Sequence, residues 1–277
     1  MDQYRVLGNP IKQSRSPYIH QSFAEETKQV LNYQSALVAI DGFNETIKKF
    51  ISEQGKGVNV TAPFKEQALA ICDQLSERAR LAGAVNTLSF INGEILGDNT
   101  DGVGLVQDLL RNKVTLKNSN ILLLGAGGAA KGVVLPLLEQ NPHALVIANR
   151  TVKKAQDLCA QFAVDNNSQL TACGFDDLAN ANFDLIINAT SASLSGEVPP
   201  IPADLVKANV VCYDMVYGKA LTPFLHWCKT QGADCNIDGL GMLVGQAAES
   251  FAIWRGVKPQ VASVITDLRT ALAAELP

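Results

Sequence analysis

The stretch Ile121-Leu-Leu-Leu-Gly-Ala-Gly-Gly-Ala-Ala-Lys-Gly132 constrains this chain more than any other. Ile121 to Leu124 is a short run of apolar residues without alternation, the pattern of a strand buried on both faces. The turn Gly125, Ala126, Gly127, Gly128 and Ala129 follows at once, and Ala130, Val133, Val134, Leu137 and Leu138 then recur at helical spacing. Strand, glycine turn and helix together predict the first unit of a dinucleotide-binding α/β fold. The glycines permit a tight turn and close approach of a pyrophosphate, and the helix N-terminus offers its unpaired N–H groups to the anion. Ala130 stands where the fingerprint has its third glycine, a tolerated variant.

With 277 residues, the chain has room for two modest domains, each with its own core. A formal net charge of −4 argues against a broad basic surface for nucleic acid. No apolar run is long enough to span a bilayer, and the first residues carry no secretion signal core. The six cysteines include no C-x-x-C pair, so buried free thiols of a cytoplasmic protein are expected rather than disulfides. Three scattered histidines supply no metal site.

Along the chain, strand-like and helical runs alternate in two blocks. The first block predicts strands over 4–8, 33–40 and 57–60 and helices over 17–27, 43–54 and 64–72. It closes with a hairpin, 86–91 and 94–97, turning at Asn92-Gly93. A helix over 100–111 leads to the glycine-turn strand, and further strands are expected over 144–148, 170–173, 185–188, 210–214 and 234–237. Helices over 240–255 and 259–276 end the chain. Two α/β lobes therefore meet near residue 101, and the cleft between them is the expected ligand site.

The second strand of the cofactor unit ends Ala148-Asn149-Arg150-Thr151, followed by Lys153 and Lys154. A site for NAD places an acid there, roughly 20 residues beyond the turn. Basic residues at that point instead suit the 2′-phosphate of NADP, with Thr151 also expected to cap a helix.

In the first block, Ser16 followed by Pro17 reads as a helix N-cap, and Ser14 is left over as a ligand hydroxyl. Asn59 and Thr61 alternate at the end of a strand and so share one side, where α/β sheets bind ligands. Lys65 falls in the first turn of the next helix, where the macrodipole opposes a cation. Asn86 and Asp101 bring polar side chains to the same cleft. Asp101 either caps the following helix or holds the Lys65 ammonium and shares its proton.

These strings resemble the shikimate dehydrogenase family, in family order along nearly the whole chain. They are Ser14-x-Ser16, Asn59-Val-Thr61-x-Pro63-x-Lys65, Gly83-Ala-Val-Asn86-Thr87, Asn99-Thr-Asp101-Gly102, Gly125-Ala-Gly-Gly-Ala129, Asn149-Arg-Thr151, Asn188-Ala-Thr190-Ser191, Asp214-Met-Val-Tyr217, Thr222-Pro223 and Asp238-Gly-Leu-Gly-Met-Leu-Val-Gly-Gln246. The resemblance implies NADPH-dependent, reversible reduction of 3-dehydroshikimate to shikimate. It implies Lys65 and Asp101 as the catalytic pair. Ser14, Ser16, Asn59, Thr61, Asn86, Tyr217 and Gln246 would join them around the substrate. Thr190, Met215, Gly239 and Glu77 would lie near the cofactor. It also implies a discontinuous first domain, 1–101 plus 240–277, around an NADP-binding domain over 102–239, in a monomer or homodimer. A quinate/shikimate dehydrogenase with relaxed cofactor use, or a non-catalytic ligand sensor on the same fold, are the competing readings.

Overall fold

A computed structural model describes residues 1–162 and 169–274. Among these residues the strands form two six-stranded sheets. The first contains β1 (Asp2–Gly8), β2 (Leu31–Leu37), β3 (Gly57–Val60), β4 (Gln74–Leu75), β5 (Thr87–Ile91) and β6 (Glu94–Asp98). Its order is β2-β1-β3-β5-β6-β4, with β5 antiparallel to both β3 and β6 and the other pairs parallel. The hairpin turn puts Asn92 at φ 52° and Gly93 at φ 84°, the doubly left-handed geometry that an Asn-Gly pair adopts readily. Helices α1 (Ser16–Glu26), α2 (Phe43–Ser52), α3 (Lys65–Ala70) and α4 (Glu77–Ala82) connect these strands.

The second sheet contains β7 (Asn120–Leu124), β8 (Ala144–Ala148), β9 (Leu170–Cys173), β10 (Leu185–Asn188), β11 (Val211–Asp214) and β12 (Cys235–Asp238). All of its pairings are parallel, in the order β12-β11-β10-β7-β8-β9, the doubly wound dinucleotide-binding arrangement. Helices α5 (Asp101–Arg111), α6 (Gly128–Leu138), α7 (Val152–Gln161) and α8 (Pro223–Thr230) accompany it. The unbroken apolar run of β7 is explained by its two faces. Ile121 and Leu123 pack with Leu105, Leu109 and Val133, whereas Leu122 and Leu124 pack with Ile186, Cys212 and Phe224. Each such side chain contributes about 1.5–3 kcal/mol by leaving water.

The chain ends in α9 (Leu240–Arg255) and α10 (Ala262–Ala274). Leu240, Val244, Phe251, Val264 and Leu268 share a core with Tyr4, Ile19 and Phe23, so the C-terminal helices pack on the first sheet's side. Residues 275–276 of the expected last helix lie outside the described residues.

The strand expected over 33–40 runs instead over 31–37, and three further local expectations need correction. The helix expected over 64–72 stops at Ala70, because the Asp73 N–H bonds the Ile95 carbonyl and draws the chain into β4. Neither β4 nor α4 was expected; α4 is a six-residue helix set by Ser76, whose hydroxyl accepts from the Ala79 N–H, and ended by Gly83 at φ 60°. Ser16 is not the N-cap of α1 but its first residue, and the Ser14 hydroxyl accepts the Ser16 N–H at 3.3 Å.

His20 of α1 is fully buried, its ring stacked on Tyr33 at 4.0 Å. Neither ring nitrogen has a hydrogen-bond partner among the described residues. Burial pushes its pKa down to about 3, against a weaker opposing effect of the nearby Asn59 amide. An unfolded histidine titrates near about 6.5, so below that pH the unfolded chain takes up a proton that the folded chain refuses. Stability is therefore expected to fall from pH about 6.5 towards 3, by up to about 1.4 kcal/mol per pH unit from this group. In His20→Leu the loss between pH about 6.5 and 5 should shrink by about 2 kcal/mol, read from urea unfolding at the two pH values. An unchanged slope would show that His20 does not set it.

Candidate active site

The first sheet delivers its polar side chains through three neighbouring strand ends. Asn59 and Thr87 are partners across β3 and β5, and the Val60 N–H bonds the Asn86 carbonyl. Lys65 starts α3, and its carbonyl accepts the Val85 N–H, which fixes α3 against the approach to β5. Past β6, the Asn99 side chain accepts the Asp101 N–H and donates to the Ala84 carbonyl, so the turn into α5 is tied to the same place.

Lys65 and Asp101 meet there. Lys65 Nζ donates to Asp101 Oδ2 at 2.5 Å, and the two side chains are 28% and 12% exposed. Asn86 Nδ2 donates to Asp101 Oδ1 at 2.8 Å, so each carboxylate oxygen has its own donor. Asn86 is held in turn by Thr87 and Thr100, whose hydroxyls donate to its Oδ1 at 2.8 and 3.2 Å. Asp101 thus does not cap α5; its side chain faces the lysine. Behind this group, Tyr33 donates to Asn59 Oδ1 at 2.7 Å, while Asn59 Nδ2 donates to Ser250 Oγ at 3.0 Å. With its bonds to the Asn86 carbonyl and the Thr87 hydroxyl, Asn59 is fixed in one rotamer by β2, α9 and the start of β5.

Lys65, Asp101, Asn86 and Asn59 line a cavity of about 360 Å³. Ser14, Ser16, Asn59, Thr61, Lys65, Asn86 and Asp101 form its walls on the first-sheet side, and Tyr217, Met215, Gly239 and Gln246 form the rest. Sequence reading missed the rest of the lining, with Gln13, Arg15, Met242 and Leu243 among it. Met242 and Leu243 follow Gly239 and precede Gln246 by about one helical turn, a periodicity that would have found them. A second cavity of equal volume lies against Asp108, Arg111, Asp238 and Arg269. There Arg111 pairs with Asp108 and Arg269 with Asp238, and neither Lys65 nor Asp101 reaches it.

The glycine turn lies at the switch point of the second sheet, where β7 neighbours β10. Gly125 has φ 108°, and a Cβ there would stand 3.2 Å from the Ala189 carbonyl oxygen and the Thr190 methyl. Thr190 therefore borders the turn. Its N–H and hydroxyl both donate to Asn188 Oδ1. At Gly127 and Gly128 an added Cβ would meet open space, so their bareness serves no internal contact and leaves the backbone open to a ligand. The α6 helix that follows crosses α5 at Gly102, where a Cβ would lie 2.4 Å from the Gly132 carbonyl oxygen. That close approach sets the glycine-turn helix alongside Asp101.

Arg150, Thr151, Lys153 and Lys154 are exposed just past β8, with Asn149 half-buried. Thr151 occupies the N-cap position of α7 but makes no capping bond with its side chain; instead Asn149 Nδ2 donates to the Thr151 carbonyl. Lys153 pairs with Asp157 one turn along α7. Glu77 is exposed at the start of α4, paired with Arg80, and does not line the cavity.

Residues 6–88 match the shikimate dehydrogenase substrate binding domain, 108–195 match shikimate / quinate 5-dehydrogenase, and 239–266 match the shikimate 5′-dehydrogenase C-terminal domain. The chain is 63% identical to the shikimate dehydrogenase (NADP(+)) of Colwellia psychrerythraea, over 98% of both chains. It belongs to the shikimate dehydrogenase family. A family structure from Thermus thermophilus, shikimate 5-dehydrogenase in complex with NADP(H) and shikimate, superposes with a TM-score of 0.87 at 31% identity. That match covers 98% of this chain and 100% of the other. The structure of an Ael1 enzyme from Pseudomonas putida gives 0.93 at 45% identity, covering 97% and 98%.

Among the described residues, no helix is long and apolar enough to cross a membrane. The six thiols are all free, with Cys212 and Cys228 buried and the other four half-buried.

Proposed function

We propose that the cavity at Lys65 and Asp101 is where the chain reduces 3-dehydroshikimate to shikimate with NADPH, reversibly, on the route to chorismate and the aromatic amino acids. The observation that carries this reading is the Lys65–Asp101 pair opening onto a cavity that gathers Ser, Thr, Asn and Gln side chains on a partly apolar wall. A polyhydroxylated acid calls for such a wall, and a site that bonds hydroxyls rejects analogues lacking them. Ser14, Ser16, Asn59, Thr61, Asn86, Tyr217 and Gln246 are the groups we assign to substrate binding.

The glycine turn, Thr190 and the exposed Asn149–Thr151 segment fit NADP: an open backbone for the pyrophosphate and a guanidinium for the 2′-phosphate. Gly125 to Ala129, Asn149, Arg150, Thr151, Lys154 and Thr190 would hold it, with Lys153, Met215 and Gly239 beside them. When bound, NADPH supplies the hydride. Lys65 then donates the proton to the ketone oxygen and stabilises its growing charge; in the reverse direction the neutral amine accepts it. Asp101 orients the amine, and Asn86 orients Asp101.

The division we assign is 1–101 plus 240–277 for the substrate domain and 102–239 for the NADP domain, supported by the shared core of α1, α9 and α10. For the assembly, a monomer or a homodimer is the reading we carry forward. Free thiols suit the cytoplasm.

Reduction of NADP⁺, followed by absorbance with shikimate as sole donor, tests the reading. Turnover with shikimate and NADP⁺ well above that with quinate or NAD⁺ is expected. Equal rates with quinate and NAD⁺ would favour a relaxed quinate/shikimate enzyme, and no turnover with any pair would favour a ligand sensor.

A further inference from the structure

Asp214, the last residue of β11, is fully buried, and none of the assignments above uses it. Its carboxylate is saturated by four uncharged donors. Oδ1 accepts from the Val216 N–H at 3.1 Å and from Asn188 Nδ2 at 3.2 Å. Oδ2 accepts from the hydroxyls of Ser193 and Thr222 at 2.6 and 2.5 Å. The donors come from four separate places: the segment just past β11, the end of β10, the turn after β10, and the N-cap of α8.

Burial alone pushes this carboxyl up, while the four donors favour its charged form. A carboxylate is an acceptor with no hydrogen of its own, so it is the side chain that can receive all four. Around it, two pieces of the cleft are tied together. Asn188, which donates to Asp214, accepts both bonds from Thr190 beside the glycine turn. Val216, which also donates, stands between Met215 and Tyr217 of the cavity wall. The Met215 N–H completes the link by bonding the Asn188 carbonyl.

We infer that Asp214 is a positioning residue that sets the Thr190–Ser193 turn and the Met215–Tyr217 segment against each other, so that cofactor and substrate meet in register. This rests on the assignment of Thr190 to the cofactor and of Met215 and Tyr217 to the cleft. A misplacement of about 1 Å between such loops costs on the order of 100-fold in rate, whereas a bond that only stabilises the fold leaves the rate of folded molecules unchanged.

Asp214→Asn keeps the shape but presents an NH₂ to groups that donate. With its oxygen kept for the two N–H donors, its NH₂ faces the Ser193 and Thr222 hydroxyls, which must turn their hydrogens elsewhere and so lose the acceptor they share. The variant should still fold, with a lowered Tm. Its kcat/KM for shikimate at saturating NADP⁺ should fall about 10- to 100-fold well below that Tm. Ser193→Ala cuts the tie from Asp214 to the turn beside Thr190, together with the long Asn188 contact at 3.5 Å, and it decides the matter if Asp214→Asn does not fold. It should raise the Kd for NADP⁺ about 3- to 10-fold by calorimetry without shikimate, while the KM for shikimate moves less than about twofold. A folded Asp214→Asn with a lower Tm but wild-type kinetic constants, or a Ser193→Ala with wild-type NADP⁺ affinity, would overturn the inference. Wild-type protein that binds NADP⁺ yet leaves shikimate unoxidised would instead sink the functional assignment, and the calorimetry would still judge Asp214.

Discussion

Lys65→Ala is expected to lower kcat for shikimate oxidation by about 100- to 10,000-fold, with a much smaller change in KM. Two losses coincide in that variant. The ammonium proposed to protonate the oxygen in one direction, and as amine to accept its proton in the other, is gone. Asp101 also loses the partner at 2.5 Å that balances its charge, and it is only 12% exposed. A bare carboxylate beside an oxygen gaining negative charge raises the barrier further, because unpaired charge in a poorly hydrated site is costly. Substrate binding should survive better, since the hydroxyl- and amide-bearing walls of the cavity remain. Steady-state kinetics beside a thermal unfolding curve separate lost chemistry from lost fold. Turnover near the wild-type value would remove Lys65 from the proton transfer.

The second large effect is expected at the other end of the cofactor. Arg150 is exposed immediately past β8, where a ribose-reading acid would stand in an NAD site. Arg150→Ala should cut kcat/KM for NADPH about 10- to 100-fold, the worth of a charge-assisted bond to a phosphate. The value for NADH should move little, because that cofactor has no 2′-phosphate to lose. The ratio of the two is the informative readout, since general damage lowers both. Equal losses would place the 2′-phosphate elsewhere, with Lys154 the next cation to test. Lys153 is a weaker choice, being already paired with Asp157, although an exposed pair of this kind costs little to break.

The second sheet was legible because its signals are local and repeated. A buried strand, a glycine turn and a helix follow one another within a dozen residues, and β8, β9 and β10 begin and end where the apolar runs do. The candidate site was legible for a related reason: its polar residues sit at strand ends and first helical turns, where side-chain direction follows from backbone period. What supports them was not. Asn59 and Ser250 are 191 residues apart in sequence and 3.0 Å apart in space. No pattern within β3 or α9 announces that pairing. The same holds for His20, a polar residue on a helix face that turns out to stack against Tyr33 in a closed aromatic core. Element ends escaped where tertiary bonds override propensity, as past Ala70, where the bond of Asp73 to Ile95 draws the chain out of α3. Ser16 shows the converse, a residue with every local mark of a cap that is instead the first residue of α1 and borders the cavity.

The position of one amine relative to one oxygen tests the central claim most directly. In a crystal structure of the chain with shikimate and NADP⁺ bound, Lys65 Nζ should lie within about 3 Å of the ring oxygen on the carbon that gives up hydride, with Asp101 still paired to it. Shikimate seated with that oxygen beyond hydrogen-bond reach of Lys65, and the amine turned to bulk water, would contradict the mechanism while leaving the NADP site standing.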